Sequence, residues 1–255
     1  MSELLNLFKD SENFSSKHFK YFDVYEGLLR KFRNKDITFV EIGVQNGGSL
    51  EVWKKYFSKK SRIIGIDLNP QCKKFQKDNV EIYIGSQSDQ SFWKSFFDKV
   101  GPVDIVLDDG GHTNIQQIMT TINCIPNINN DGMLIVEDVH ASYLKTFNNP
   151  SNHSFINFAK KEIDDINSTF PGLPKRKFSL SKYVYSLEFF ESIVAFKIDQ
   201  TKCIENYMIK NAGKFHNIED YRHYKKSTLS ALLRYKFIRY FIEKFNELKL
   251  KKYFK

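Results

Sequence analysis

Carboxylates, glycines and a histidine follow two apolar runs of the sequence. Residues 103–107 lead into Asp108, Asp109, Gly110, Gly111 and His112, and residues 132–136 lead into Glu137 and Asp138. Apolar runs of this kind predict buried parallel strands, and α/β enzymes bind ligands at the carboxyl ends of such strands. We therefore predict that two neighbouring strands bring these side chains together in one acidic pocket.

The chemistry that this pocket predicts is metal-assisted activation of a hydroxyl group. Asp109, Glu137 and Asp138 offer hard oxygen ligands, which suit Mg²⁺ or Mn²⁺ better than zinc. A bound metal acidifies a coordinated hydroxyl, and His112 is placed to remove its proton. Helix capping is the alternative interpretation, but it accounts for one aspartate and not for two acidic pairs with a histidine. For His140 we favour a structural role over that of a base.

A glycine turn and two further strand ends predict a site for a nucleotide-like cofactor. The strand 37–43 contains Glu41 and runs through Gly43 towards Gly47, and glycines at such a turn let the backbone approach a ligand closely. Asp67 ends the next strand, about 20 residues on, where an acidic side chain can accept hydrogen bonds from ribose hydroxyls. Ser86 and Gln87 follow a third strand, 80–85, and suit an adenine edge.

Strands and helical patterns alternate along the chain, which predicts a Rossmann-like α/β fold with a mostly parallel seven-stranded sheet. The last two strands, 183–189 and 193–198, predict an antiparallel hairpin that turns near Glu191 and Ser192. We divide the chain into a helical N-terminal segment or lid (1–36), a catalytic domain (37–199) and a basic helical C-terminal extension (200–255).

Both terminal segments carry apolar side chains at helical spacing. In the N-terminal segment these are Tyr21, Phe22, Tyr25, Leu28, Leu29 and Phe32. We interpret that stripe as packing, with a substrate lid that uses His18, Tyr21 or Tyr25 as the alternative. The C-terminal stripe is Leu229, Leu233, Phe237, Phe241, Phe245 and Leu248. For it we favour packing on the body or in a dimer over docking to a membrane surface or a partner.

The net charge of +9 resides in the C-terminal tail, since residues 201–255 hold 14 Lys and Arg against 5 Asp and Glu. The catalytic body is therefore neutral, and nucleic acid is not the expected partner. No run approaches the roughly 20 apolar residues of a membrane span, and residues 1–10 lack the pattern of a signal peptide. Cys72, Cys124 and Cys203 are interpreted as reduced thiols of a cytoplasmic protein.

The motifs at 39–44, 65–67, 108–112 and 137–143 resemble those of class I S-adenosylmethionine-dependent methyltransferases. More narrowly, residues 15–145 resemble the metal-dependent sugar O-methyltransferases of macrolide tailoring and their bacterial surface-polysaccharide relatives. The resemblance implies S-adenosylmethionine and Mg²⁺ (or Mn²⁺) as cofactors. It implies that Asp109, Glu137 and Asp138 bind the metal and that His112 is the base.

The resemblance also implies which residues bind the cofactor. Glu41, Gly43 and Gly47 would hold its methionine portion, Asp67 the ribose, and Ser86 and Gln87 the adenine, with Asp108 close by. The chain departs from the family at Ser86, where the relatives have an acidic residue.

The function we expect is in-line attack of a sugar hydroxyl on the cofactor methyl group. The expected acceptor is a nucleotide-activated sugar such as a GDP-heptose, used for capsule or surface polysaccharide. Tyr21, Tyr25, His140 and Tyr143 are candidates for contacting it, and a homodimer is the expected assembly. Another small hydroxylated or phosphorylated acceptor is the alternative. An NAD-dependent dehydrogenase is disfavoured, because the GxGxxG fingerprint is missing and the acidic cluster would be unexplained.

Overall fold

The structure is a computed structural model that describes residues 3–77, 79–218 and 235–251. Its strands are Thr38–Ile42 (β1), Arg62–Asp67 (β2), Val80–Ile84 (β3), Val103–Asp108 (β4), Ile128–Val136 (β5), Val184–Phe190 (β6) and Ile193–Ile198 (β7). Its α-helices are Glu3–Lys9 (α1), Tyr21–Leu29 (α2), Gly48–Tyr56 (α3), Gln90–Val100 (α4), Asn114–Cys124 (α5), Phe155–Asn167 (α6) and Lys236–Leu250 (α7). The chain divides into two units, Met1–Tyr207 and Met208–Lys255.

The first unit contains one seven-stranded sheet in the order β3-β2-β1-β4-β5-β7-β6. Strands β1 to β5 pair in parallel, whereas β7 runs antiparallel to both of its neighbours. The predicted mixed sheet and its C-terminal hairpin are confirmed. The strand order reverses direction between β1 and β4, and α/β folds bind ligands in the crevice that opens at such a point.

Two helical layers cover the sheet, because successive side chains of a strand point to opposite faces. Phe39 and Ile105 face the layer built from α1, α2 and α3. Val40 and Val106 face the layer built from α4, α5 and α6. The N-terminal stripe lies in the first layer, where its members are all buried: Tyr21, Phe22, Tyr25, Leu28, Leu29 and Phe32. The predicted packing role of this stripe is confirmed.

The N-terminal segment differs from the continuous helical pattern that we predicted for residues 1–36. Helix α1 ends at Lys9 and α2 begins at Tyr21, and the intervening chain is non-helical. Ser11 and Asn13 instead bond to the side chain of Glu51 in α3. Serine and asparagine often make such bonds at the expense of a helix. We call residues 11–20 the strap.

The described part of the second unit contains α7. Four members of the predicted C-terminal stripe lie on this helix, and each is exposed: Phe237, Phe241, Phe245 and Leu248. Leu229 and Leu233 lie outside the described residues. Among the helices that the structure describes, none has the length and apolar character needed to cross a membrane.

We predict opposite effects on stability for alanine at two glycines. Gly43 has φ +95°, and a Cβ atom there would lie 2.1 Å from the carbonyl oxygen of Asp109. Gly43→Ala should lower the free energy of unfolding by about 2 kcal/mol or more, from backbone strain and this clash. Gly27, within α2, has no atom within 4 Å of such a Cβ. Gly27→Ala should raise stability by about 0.5–1 kcal/mol.

Urea unfolding of both variants and the wild type measures these changes. Equal stabilities for the two variants would show that the β1 turn is not held against Asp109 as described.

Candidate active site

A crevice of about 420 Å³ opens at the carboxyl ends of β1, β2 and β4. Its walls come from the glycine turn after β1, from Asp67 and Ser86, and from the turn that carries Asp109 and His112. Strap residues Phe14 to Ser16 line another side. The volume and the mixed polar walls suit a small-molecule ligand of nucleoside size.

Two glycines allow the turns after β1 and β4 to meet. Gly43 lies directly against the backbone of Asp109. A Cβ atom at Gly110 would lie 2.0 Å from Oε1 of Gln87. Gly47, by contrast, precedes α3 with φ +76° and lies against the ring of Phe75, outside the lining of the crevice.

Asp67 fixes the glycine turn from the end of β2. Its Oδ2 accepts hydrogen bonds from the backbone N–H groups of Val44 at 2.9 Å and Gln45 at 3.0 Å. Its Oδ1 accepts another from Asn69 at 2.8 Å. Burial alone would raise the pKa of Asp67, but these donors reverse the effect and hold its pKa below the usual value. A carboxylate that stays ionised in the crevice wall is a suitable acceptor for ribose hydroxyls.

Gln87 and Asp108 form a buried support beneath the second turn. Gln87 Nε2 donates to Asp108 Oδ1 at 2.9 Å, and Gln87 Oε1 accepts from the N–H of Gly111 at 2.9 Å. Burial raises the pKa of Asp108. Gln87 reaches the crevice lining as predicted for an adenine contact, yet its amide is already engaged, whereas Ser86 lines the crevice with only a neighbouring serine as its side-chain partner.

Three carboxylates surround the ammonium group of Lys17 from the strap. Lys17 Nζ lies 2.6 Å from Asp109 Oδ2, 3.0 Å from both oxygens of Glu137 and 3.8 Å from Glu41 Oε1. The lysine side chain is 4% exposed. Burial lowers the pKa of Lys17, but the attraction of Glu137, Asp109 and Glu41 outweighs it and holds the pKa above its usual value. Lys17 is therefore a buried cation.

Glu41 lies within this acidic cluster and outside the lining of the crevice, to which the resemblance assigned it. Its Oε2 accepts a hydrogen bond from Ser49 Oγ at 2.7 Å. Burial raises the pKa of Glu41 to about 7, against the opposing effect of Lys17. Glu41 is therefore a poorly solvated acid whose charge depends on the nearby cation.

Asp138 gathers a second group of side chains. Its Oδ2 lies 3.3 Å from His112 Nε2, and its Oδ1 accepts a hydrogen bond from the hydroxyl of Tyr21. His18 and His140 each lie within 4 Å of Oδ1, at 3.9 and 3.8 Å. Both His112 and Asp138 have positive φ, 55° and 54°, a backbone conformation that costs free energy and is concentrated at functional sites.

The residues present fit a hard divalent cation. Asp109, His112 and Asp138 offer ligand atoms that all lie within 4.8 Å of one another. Glu137 is not part of this group, and Lys17 and the Tyr25 hydroxyl bond to its oxygens. Carboxylate oxygens are the ligands that Mg²⁺ and Mn²⁺ prefer, so the donor set suits either ion.

The four candidate substrate residues lie outside the crevice lining in the described part of the chain. Tyr25 is buried behind Glu137 and bonds to its carboxylate. Tyr21 and His140 both contact the hydroxyl of Ser192. Tyr143 is 58% exposed. Tyr21 and Tyr25 therefore pack in the buried layer and bond to Asp138 and Glu137. Their role in a substrate lid stays a prediction.

Two residues near the carboxylates were missed from the sequence. Lys17 belongs to a segment interpreted as helical, and no motif marks it. Gln117 of α5 is buried, and its Nε2 donates to the backbone oxygen of Glu137 at 2.8 Å. A polar side chain on the buried face of a helix was the available signal for Gln117.

Comparisons with known proteins identify relatives of the chain. No protein-family profile matches it. Over 156 residues it is 30% identical to the 8-demethyl-8-alpha-L-rhamnosyl tetracenomycin-C 2'-O-methyltransferase of Streptomyces olivaceus, which covers 57% of this chain and 41% of that protein. Over 132 residues it is 31% identical to the mycinamicin VI 2''-O-methyltransferase of Micromonospora griseorubida, which covers 48% of this chain and 32% of that protein. The chain thus spans less than half the length of these curated relatives.

A solved structure shares the fold. MycE from the mycinamycin biosynthetic pathway, in complex with Mg and SAH, matches with a TM-score of 0.70 at 23% identity, over 84% of this chain and 58% of that chain. The chain therefore shares the fold of that methyltransferase. Over about half of its length the chain is similar in sequence to sugar O-methyltransferases, which confirms the resemblance found in the motifs.

The raised pKa of Glu41 predicts a pH-dependent effect of Glu41→Gln. An acid whose pKa rises on folding from 4.5 to about 7 binds more protons in the folded state, so its ionisation costs stability as pH rises through that interval. Relative to the wild type, the variant should therefore gain stability between pH 4.5 and 7, by on the order of 3 kcal/mol.

Chemical denaturation at several pH values measures this difference. Glu81→Gln is the control, because the bonds from Arg62 hold the pKa of Glu81 below its usual value. Removing that carboxylate should have the opposite sign and cost stability as pH rises. A difference in stability between Glu41→Gln and the wild type that does not vary with pH would contradict the raised pKa of Glu41.

Proposed function

We propose that this protein transfers the methyl group of S-adenosylmethionine to a hydroxyl of a sugar, with a bound Mg²⁺ ion. The observation that carries the proposal is that Asp109, His112 and Asp138 form part of the wall of the same crevice as the glycine turn and Asp67. A cofactor in that crevice and an acceptor at the acidic group would lie side by side. The homology to sugar O-methyltransferases supports this choice.

In this proposal the crevice binds the cofactor, whose sulfonium makes its methyl group electrophilic. Gly43 and Gly110 let the turns that form the crevice wall pack closely on one another, since neither has room for a Cβ atom. Asp67 retains lone pairs for ribose hydroxyls beside the N–H groups that it already accepts. Ser86, whose side chain bonds to Ser88, lines the crevice after β3, where we place the adenine.

Asp109, Glu137 and Asp138 are the residues that would hold the metal, and a bound Mg²⁺ would lower the pKa of a coordinated sugar hydroxyl. The role of the protein is to keep these carboxylates in place. The Tyr25 hydroxyl bonds to Glu137, and the Tyr21 hydroxyl bonds to Asp138. Both tyrosines are anchored in the buried layer of α2.

His112 is the proposed general base. A proton on Nε2 would interact with Asp138 Oδ2, 3.3 Å away, and this tautomer leaves Nδ1 as the basic nitrogen. Nδ1 is buried and has no hydrogen-bond partner among the described residues. An acceptor hydroxyl that displaces the atoms covering Nδ1 would give its proton to this nitrogen as the methyl group is transferred.

The finer identity of the acceptor is also a proposal. We infer a nucleotide-activated sugar such as a GDP-heptose, destined for capsule or surface polysaccharide, from the basic C-terminal tail and the family resemblance. A glycosylated natural product, as in the names of the curated relatives, is the second candidate. The homodimer and the cytoplasmic location stay predictions.

The test is a methyl-transfer assay with S-adenosylmethionine and a panel of GDP-sugars, UDP-sugars and glycosylated polyketides, with Mg²⁺ or with EDTA. Mass spectrometry should detect one added methyl group on a sugar in the presence of Mg²⁺. His112→Gln should lower kcat by about 10²–10⁴-fold, because it removes the base. The affinity for the cofactor, measured by calorimetry, should stay within about twofold of the wild type.

A different experimental result would contradict the metal, the sugar acceptor or the base. Methyl transfer that persists in EDTA would contradict the role of the metal and leave the transferase activity supported. Cofactor binding without methyl transfer to any sugar would contradict the proposal that the acceptor is a sugar. A His112→Gln variant with wild-type kcat would assign the proton transfer to another group.

A further inference from the structure

The strap is anchored at its first residues by contacts with α3. Ser11 Oγ donates to Glu51 Oε2 at 2.9 Å, and the N–H of Glu12 donates to the same oxygen at 3.0 Å. A Cβ atom at Gly48 would lie only 2.4 Å from the carbonyl oxygen of Asn13, so the strap packs closely against the start of α3. These contacts hold the strap over the sheet without any involvement of Lys17.

The last residues of the strap are anchored separately. Lys20 forms an exposed ion pair with Glu191 in the β6–β7 turn. Tyr21 follows at the start of α2 and donates to Asp138. The middle of the strap, from Phe14 to Lys17, therefore spans the crevice between two fixed points, and residues Phe14 to Ser16 line it.

Lys17 occupies the space between two of the proposed metal ligands. Its ammonium nitrogen lies 2.6 Å from Asp109 Oδ2 and 3.0 Å from each oxygen of Glu137. A magnesium ion needs oxygen ligands at about 2.1 Å and would take up the same space between these carboxylates. The ammonium and the metal cannot both bind Asp109 and Glu137 there.

The charges favour an exchange between the two cations. One ammonium faces the three carboxylates of Asp109, Glu137 and Glu41. A divalent ion brings twice the positive charge to the same oxygens, while the flexible lysine side chain can return to water. The ammonium thus stabilises the buried carboxylates in the absence of metal, and the metal replaces it.

We propose that Lys17 is a built-in competitor for the metal site, so that metal binding expels its side chain and releases the middle of the strap from the crevice. This inference rests on the proposed function, since it takes Asp109 and Glu137 as metal ligands. Lys17 would then set the affinity for metal and couple metal binding to access to the crevice. The apparent affinity for metal equals the intrinsic affinity multiplied by the fraction of molecules in which Lys17 has left the site.

The first test compares metal affinities of three full-length proteins. Lys17→Met removes the ammonium and retains a side chain of similar length. Lys20→Met removes the same charge from an exposed position in the same strap and is the matched control. Binding of Mn²⁺, followed by the loss of the free-ion EPR signal, should be roughly tenfold or more tighter in Lys17→Met than in the wild type. Lys20→Met should stay within about twofold.

The second test uses the wild-type protein and does not depend on the folding of a variant. Lysines are labelled by reductive methylation with and without Mg²⁺, and the peptides are quantified by mass spectrometry. Lys17 should be protected without metal and labelled with it, whereas Lys20, 70% exposed, should be labelled in both conditions.

Two results would overturn the inference and leave the proposed function intact. One is an equal Mn²⁺ affinity in the wild type and Lys17→Met, and the other is a Lys17 that stays protected at saturating Mg²⁺, each with Mg²⁺-dependent methyl transfer. Absence of Mn²⁺ binding in all three proteins would overturn the inference together with the metal of the proposed function.

Discussion

The burial of carboxylates at the ends of β1, β4 and β5 is the constraint on which the rest of this structure depends. Glu41, Asp108 and Glu137 are each at most 1% exposed. An ionised carboxylate removed from water is costly unless hydrogen bonds or cations replace its hydration. Asp108 accepts a hydrogen bond from Gln87, and Glu41 accepts one from Ser49. Glu137 accepts a hydrogen bond from Tyr25 and forms an ion pair with Lys17. The partners that lie farthest away in sequence come from the N-terminal segment.

That segment is consequently part of the packed core and not an appendage. Helix α2 buries Tyr25 and Leu29 against the same layer as Trp53, and this packing fixes where the tyrosine hydroxyls lie. The hydroxyls in turn bond to Glu137 and Asp138. Removing the helix would expose one face of the sheet and remove the tyrosine hydroxyls from two carboxylates, so folding and site assembly are coupled through the same few side chains.

Much of this arrangement is predictable from local sequence because its causes are local or follow from a general rule. The apolar run before Asp108 gives a buried strand, and the carboxyl ends of parallel strands share one edge. Asp109 and Glu137 therefore had to be neighbours. The position of Lys17 and the bond between Gln87 and Asp108 were not predictable, because these partners are distant in sequence. Lys17 contacts residues 92 and 120 positions away, and Gln87 contacts one 21 positions away.

The break between α1 and α2 was missed for a related reason. The spacing of Leu4, Tyr21 and Leu28 is compatible with helices, but only the side chain of Glu51, 40 positions from Ser11, gives the strap an alternative to helical hydrogen bonds. Propensity reports what a segment prefers in isolation. It does not report a partner supplied by another element.

Asp109 connects the two halves of the acidic site, since its carboxylate faces Lys17 and also lies within reach of His112 and Asp138. Its backbone has little freedom to move. The N–H donates to Ile42 at 3.0 Å, and the carbonyl oxygen lies against Gly43 without room for a Cβ atom. A change of cation at this position must therefore be accommodated by side chains and by the strap. A rigid turn with a mobile counter-ion allows the carboxylates to keep their positions while the positive charge that they face is exchanged.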